Sequence, residues 1–279
     1  MAKKYDLTEA GLEFGLIFAD YCWKTQFLHY GFFKDAMEPT PENVAQAQEN
    51  YTQFLFSQFP KGVKTILDVG CGTGALTKRL LDEGYTVDCV SPGDYLTSKV
   101  RAKVGDRAEI FNSGFEDVET DKRYDLVMFS ESFQYIPVQD AISQGMKFLN
   151  PKGHIIICDF FKRSEEKSKS PIGGGHDQDS FFETMKTFDV TEIKNQDITA
   201  ETAPSLDVVD DFLERFMIPI TEIIIRVTEH KAPWLIKFIK WKFSAKLAKA
   251  SYKYYNRNIN AASFAKHKCY RLLLFQKNS

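Results

Sequence analysis

Apolar residues run in short unbroken stretches through the middle of the chain, and each stretch is followed by a segment in which they recur at helical spacing. Residues 64–69, 86–91, 108–112, 124–129 and 154–160 read as strands, with helices at 75–83, 95–104 and 139–149 between them. An unbroken apolar run suits a strand buried on both faces. The alternation therefore predicts an α/β fold, a doubly wound and mostly parallel sheet with helices on both sides. A sixth strand is predicted over 188–198 after a helix at 179–187, and a last strand over 267–276. Two helical pieces lie outside this core. Residues 1–60 are aromatic-rich, with Pro41 placed to start a helix over 42–59, and residues 199–266 form a long insertion. Ligands of open α/β sheets sit at the carboxyl ends of the strands. Both pieces are therefore expected to be lids over a core made of 61–198 and 267–279, the insertion covering substrate. Residues 163–175 read as a mobile loop.

The first strand runs from Thr65-Ile66-Leu67 straight into Asp68-Val69-Gly70-Cys71-Gly72-Thr73-Gly74, ahead of a helix start. Glycines at every second position remove the Cβ atoms that hold a ligand off the backbone, which reads as a nucleotide-type pocket. A dinucleotide site needs G-x-G-x-x-G, whereas the spacing here is G-x-G-x-G with an acid two residues before the first glycine. A carboxylate there repels a diphosphate but can accept from, or pair with, a cationic group. The stretch resembles the first motif of the class I S-adenosylmethionine-dependent methyltransferases, and the resemblance extends over about residues 45–160.

That resemblance implies S-adenosyl-L-methionine as cofactor, held around Asp68, Gly70, Cys71, Gly72 and Gly74, and a Rossmann-like sheet whose antiparallel last strand slots in beside the fifth. At the end of the second strand, where the family carries a ribose-binding acid, this chain has Ser91, with Asp94 nearby. Ser91 is expected either to contact the ribose weakly or through water, or to cap the next helix. Asp88 alternates to a different face. Ser113-Gly114-Phe115-Glu116-Asp117 resembles the adenine-side motif, with the Phe115 ring against the base and Glu116 beside it. The loop from Ser130 to Ile136 matches the part that meets the methionine moiety and the acceptor, and Asn150-Pro151-Lys152-Gly153 the turn into strand five.

Methyl transfer is an in-line displacement, so positioning supplies most of the acceleration, and a base is needed only when the nucleophile must lose a proton. Three residues are candidates for the acceptor side. His176 follows three glycines after strand five, with Asp177 adjacent to orient its ring. Tyr30 lies in His29-Tyr30-Gly31, which resembles a segment found ahead of the core in small-molecule and lipid methyltransferases, with Gly31 permitting a bend. Glu131 is the third. No D/N-P-P-Y/F segment of the nucleobase N-methylating branch is present, so nucleic acid is not the expected acceptor.

Charge adds one asymmetry. The chain has 36 Lys and Arg against 38 Asp and Glu, yet residues 231–279 hold 12 of the basic residues and none of the acids, leaving 24 against 38, a net −14, before them. Within residues 234–255, Trp234, Phe238 and Trp241 interleave with Lys242, Lys246, Lys249 and Lys253. This pattern reads as a basic amphipathic element for a membrane surface or anionic ligand, or as a lid helix that buries its apolar face on the core. Five scattered cysteines without C-x-x-C spacing indicate neither a disulfide framework nor a metal site. The N-terminus lacks the apolar segment of a signal peptide, so a cytoplasmic setting is expected. The expected function is methyl transfer to oxygen or nitrogen of a small or lipid-like acceptor. A nicotinamide-dependent oxidoreductase and a non-catalytic donor-binding module are the alternatives.

Overall fold

The computed structural model describes residues 7–279, with side chains from residue 13 onward; the opening residues read above for a signal segment lie outside the described residues. The core alternates β1 (Thr65–Val69), α3 (Ala75–Asp82), β2 (Thr86–Val90), α4 (Asp94–Val104), β3 (Ile110–Phe111), β4 (Tyr124–Ser130), α5 (Val138–Phe148) and β5 (Leu149–Lys162). It closes with α6 (Gln178–Met185), β6 (Val190–Asp197) and β7 (Lys268–Lys277), and α1 (Leu7–Phe18) and α2 (Val44–Ser57) precede it. The insertion holds α7 (Thr199–Thr202), α8 (Ser205–Phe212), α9 (Ile218–Lys231), α10 (Pro233–Lys242), α11 (Ser244–Ala250) and α12 (Ala261–His267).

The seven strands order as β3-β2-β1-β4-β5-β7-β6. β1 to β5 pair parallel with one another, and β7 runs antiparallel between β5 and β6, with Ile156 opposite Leu274. This is the doubly wound sheet with an antiparallel last strand beside the fifth that the sequence and its resemblance predicted.

Neighbouring residues on one strand serve opposite faces, as the two-residue period requires. Ile66, Met128 and Ile156 join Tyr51, Leu80, Phe264 and Tyr270 on one side, under α2, α3, α8 and α12. Leu67, Val127 and Ile155 join Phe129, Phe133, Phe148 and Phe181 on the other, under α5 and α6. Each such fully buried side chain stabilises the fold by roughly 1.5–3 kcal/mol before entropy is counted.

Two strands differ from their predicted extents. β3 keeps only two residues, paired with Cys89 and Val90 at the sheet edge. β5 starts at Leu149, opposite Tyr124, and the predicted turn at Asn150–Gly153 survives as an irregularity within it, with Lys152 at φ +63°.

The insertion is not uniform. Leu206, Ala203, Ile259 and Phe264, near its two ends, are buried in the main core, whereas no residue between Asp210 and Ile259 is buried. Arg257 closes the root of this projecting arm, donating to Asp210 at 2.7 and 3.1 Å and pairing with Glu214 at 3.0 Å. A lid helix that buries its apolar face on the core is therefore not what residues 213–255 form.

Candidate active site

The site lies at the carboxyl edge of β1, β2, β4 and β5, in two halves that share one strap of chain, residues 25–33. The first half is the glycine loop. Gly70, Gly72 and Gly74 have φ of +75°, +56° and +74°, a region open to glycine at no steric cost. Their missing Cβ atoms also make room for protein. At Gly70 a Cβ would lie 2.4 Å from Ser132 Cβ, at Gly74 3.0 Å from Val100 Cα, and at Gly72 3.2 Å from Leu28 Cδ1. The loop is thus wedged between the β4 loop, α4 and the strap, and its amides reach back to the sheet, Gly70 N–H donating to Val90 O at 3.0 Å.

Asp68 is 1% exposed and accepts from Thr77 Oγ1 at 2.7 Å, bracing β1 against α3; burial pushes its carboxyl up to about 6, against the pull of Thr77. Asp68 thus supports the loop from below through Oδ2. Cys71 is likewise buried, packed with Cys89, Val100 and Val104, and contributes backbone.

Ser91 does not cap α4, whose N-cap is Gly93 without a side-chain bond. Its hydroxyl is buried at the end of β2 and has no hydrogen-bond partner among the described residues. A buried polar atom without a partner costs about 1–3 kcal/mol. Asp88 is occupied elsewhere, accepting from Glu109 N–H, Lys122 Nζ and Tyr124 OH at 2.7–2.9 Å. Phe115 needs a correction. Its ring is 2% exposed and meets Phe129 and Phe148 edge-on at 5.5 and 6.0 Å, so it fills the core beneath α5 and offers no open face. Glu116, exposed beside Gly114, is the side chain this motif presents outward.

The second half surrounds Glu131, the residue after β4, at φ +56°. Its Oε1 accepts from Tyr30 N–H at 2.5 Å and from the Tyr270 hydroxyl at 2.7 Å, while Oε2 has no partner among the described residues. Burial pushes its carboxyl up to about 8; the two donors pull the other way, and Asp159 adds to the rise. Asp159, 1% exposed in β5, is pushed up to about 7 by burial although Gln134 N–H, Gln134 Nε2 and Phe160 N–H all donate to it. The Tyr270 hydroxyl also lies 3.2 Å from that of Tyr51, which is 3.1 Å from Ser130 Oγ. Around this pair the rings of Tyr30, Phe160, Phe264 and Tyr270 stand 5.7–6.4 Å apart. The Tyr30 hydroxyl has no hydrogen-bond partner among the described residues, and burial, then Glu131 and Asp159, raises its pKa.

His176 does not join this group. Its Nε2 sits 3.1 and 2.9 Å from the carbonyls of Phe133 and Ile136, so that nitrogen carries the proton and pins the loop at residues 173–176 to the β4 loop. Asp177 caps α6, accepting from Ser180 N–H at 3.0 Å, and does not orient the ring. The expected catalytic role of His176 is thereby replaced by a structural one. The loop is also held from the other side by Lys268, a buried ammonium that donates to Gly174 O at 2.5 Å over the Phe160 ring, its pKa pushed down to about 8 by burial and by Lys162.

The strap joins the halves. Thr73 Oγ1 donates to Gln26 O at 2.8 Å and Leu28 covers Gly72, while two residues further on Tyr30 N–H holds Glu131. Gly31 permits contact rather than a bend: a Cβ there would lie 2.6 Å from Ala47 Cβ on α2. His29 stacks on Tyr51 at 4.2 Å with Nδ1 donating to Tyr30 O, and burial pushes its pKa down to about 4, so it stays neutral.

Asp159, Tyr51 and Tyr270 were missed in the sequence. Asp159 alone left a signal, an acid interrupting the apolar run at the carboxyl end of strand five. The tyrosines come from a helix before the core and a strand after it, and only tertiary structure brings them together.

A glycine-cradled loop at the carboxyl ends of a doubly wound sheet is where such folds bind nucleotide-like cofactors. The methyltransferase-domain family matches residues 42–196, more than half of the chain, and the chain belongs to that family. It is a methyltransferase whose cofactor is S-adenosylmethionine. An uncharacterized methyltransferase of Alkaliphilus oremlandii is 30% identical over 148 residues, 47% of this chain and 68% of the relative. A malonyl-[acyl-carrier protein] O-methyltransferase of Anoxybacillus flavithermus is 28% identical over 132 residues, 45% of this chain and 50% of the relative. Among solved structures, geranyl diphosphate C-methyltransferase of Streptomyces coelicolor, in complex with S-adenosyl-L-homocysteine, superposes with a TM-score of 0.68 over 99% of this chain and 100% of that one at 14% identity, a likeness of fold.

Proposed function

We propose that this enzyme methylates an oxygen or nitrogen atom of a small or lipid-like acceptor, with Glu131 as the group that takes the acceptor's proton. The observation that carries the reading is the Glu131 carboxyl, held by Tyr30 and Tyr270 with Oε2 unpartnered inside an aromatic box. Its raised pKa of about 8 suits a general base near neutral pH. The relative that methylates an oxygen of a malonyl group supports the acceptor class.

The donor would lie along residues 70–74, with Ser91 toward the ribose, Glu116 on the adenine side and Ser130 near the methionine end; bound there, it supplies an electrophilic methyl group. The chain's own contribution is placement. Tyr30, Phe160 and Phe264 exclude water from the acceptor, and Glu131 Oε2 receives the proton. Asp159 holds Gln134 and thereby the β4 loop in register. The helices at the ends of the insertion, α8 and α12, roof the acceptor half. The test is mass spectrometry of purified enzyme with S-adenosylmethionine and a panel of hydroxy, carboxylic and amino acceptors bearing acyl or isoprenoid chains; a product heavier by one methylene is expected. Turnover restricted to protein or nucleic acid acceptors would overturn the reading.

Ser91→Ala tests the donor half alone. Donor affinity should fall about fivefold, the worth of one hydrogen bond, while the melting temperature holds or rises because an unpartnered buried hydroxyl is removed. Calorimetry with S-adenosylhomocysteine and a thermal melt check both.

A further inference from the structure

The projecting arm carries an apolar surface that the fold leaves uncovered. On α10, Leu235, Ile236 and Ile239 are half-buried while the opposite face exposes Trp234, Phe238 and Trp241 at 69%, 43% and 76%, spaced four and three residues apart. On α9, which packs on α10, Ile223 and Ile224 are 51% and 58% exposed. Scattered exposed apolar residues are ordinary, but three large aromatic side chains on one helix face mark a contact surface. Positive charge is concentrated in the part of the arm that follows α9, which itself carries Glu222 and Glu229 against Arg226 and Lys231. Residues 231–255 contain seven lysines and no acid, and among the described residues only Lys240 of these pairs with a carboxylate, that of Glu229 at 3.3 Å. Lys242 and Lys246 lie beside the Phe243 ring.

We infer that the arm, α9 to α11, docks the enzyme on an anionic lipid bilayer. Charge complementarity selects this partner. Lysines flanking interfacial tryptophans and branched aliphatic side chains suit a surface that offers anionic headgroups above hydrocarbon. Among the described residues no helix is long and apolar enough to cross a membrane, so the contact is a surface one. Arg257, bound to Asp210 and Glu214, fixes the arm's root. The inference does not rest on the acceptor proposed above, since it concerns where the enzyme works.

The test is co-sedimentation of the full chain with phosphatidylcholine vesicles, with and without phosphatidylserine. Binding is expected to the anionic vesicles, weakened by salt, with a blue shift of tryptophan emission. The triple variant K242Q/K246Q/K249Q should bind about 100-fold more weakly, about fivefold per lysine, and W234S/W241S more weakly by about tenfold per residue. Both should keep calorimetric affinity for S-adenosylhomocysteine, which shows that the core is folded. Absence of vesicle binding would overturn the inference. So would a dimer in light scattering that W234S/W241S abolishes, because a second copy would then cover the stripe, or equal binding to an RNA oligonucleotide that ignores the tryptophans.

Discussion

Glu131→Gln is expected to lower kcat by about 10²–10⁴-fold, the usual contribution of a positioned general base, while leaving affinity for S-adenosylhomocysteine within a few-fold. The amide oxygen can still accept from Tyr30 and Tyr270, so the geometry survives and only proton acceptance is lost. The pH profile separates this from a structural effect. A base must be ionised, so wild-type activity should rise with pH through about 8, and the variant should lose that limb. Stability runs the opposite way. The folded carboxyl keeps its proton to about 8, whereas an ordinary glutamate releases it near 4.5. The resulting stabilisation is complete below 4.5 and is lost as pH rises toward 8. Melting curves of Glu131→Gln should be flatter over that range. Activity independent of pH from about 6 to 9, or near-normal turnover of the variant, would remove Glu131 as the base.

Gly70→Ala is expected to abolish function from the other half of the site. A Cβ at φ +75° would stand 2.4 Å from Ser132 Cβ, and Ser132 is buried with its hydroxyl donating to Val69 O, so it has nowhere to go. Strain and overpacking together cost roughly 2–5 kcal/mol. Whatever folds should bind donor at least about 100-fold more weakly, since displacing a ligating loop by about an ångström has effects of that size. Gly84→Ala is the control. It has φ +93° but open space around it, so it should cost about 1 kcal/mol and leave donor affinity alone. Calorimetry on both variants decides whether the loop geometry matters as described.

The sheet was legible because its strands are buried on both faces, and an unbroken run such as Thr65-Ile66-Leu67 has few other uses. The glycine loop was legible for a related reason, although each glycine turned out to admit a protein neighbour. Phe115 was misread because an aromatic ring serves a core or a ligand equally well, and sequence does not say which way it points. His176 was misread because a histidine nitrogen near two carbonyls looks in sequence like one near a substrate. Tyr51 and Tyr270 were beyond reach, since their meeting depends on β7 entering antiparallel beside β5 and on α2 packing against that face of the sheet. The arm's composition was read correctly, but whether its apolar face turned inward depended on contacts that only the folded chain has.

The strap from Gln26 to Tyr30 gives the enzyme a property that neither half-site has alone. One short length of backbone rests on the glycine loop through Thr73 and Leu28, and grips the Glu131 carboxylate through an amide. Raising it to expose the loop withdraws a hydrogen bond from the carboxylate, and any shift of that carboxylate pulls on the cover of the loop. Such linkage is reciprocal by thermodynamic necessity. On the proposed reading, donor binding along residues 70–74 and the basicity of Glu131 are therefore expected to be coupled through this strap.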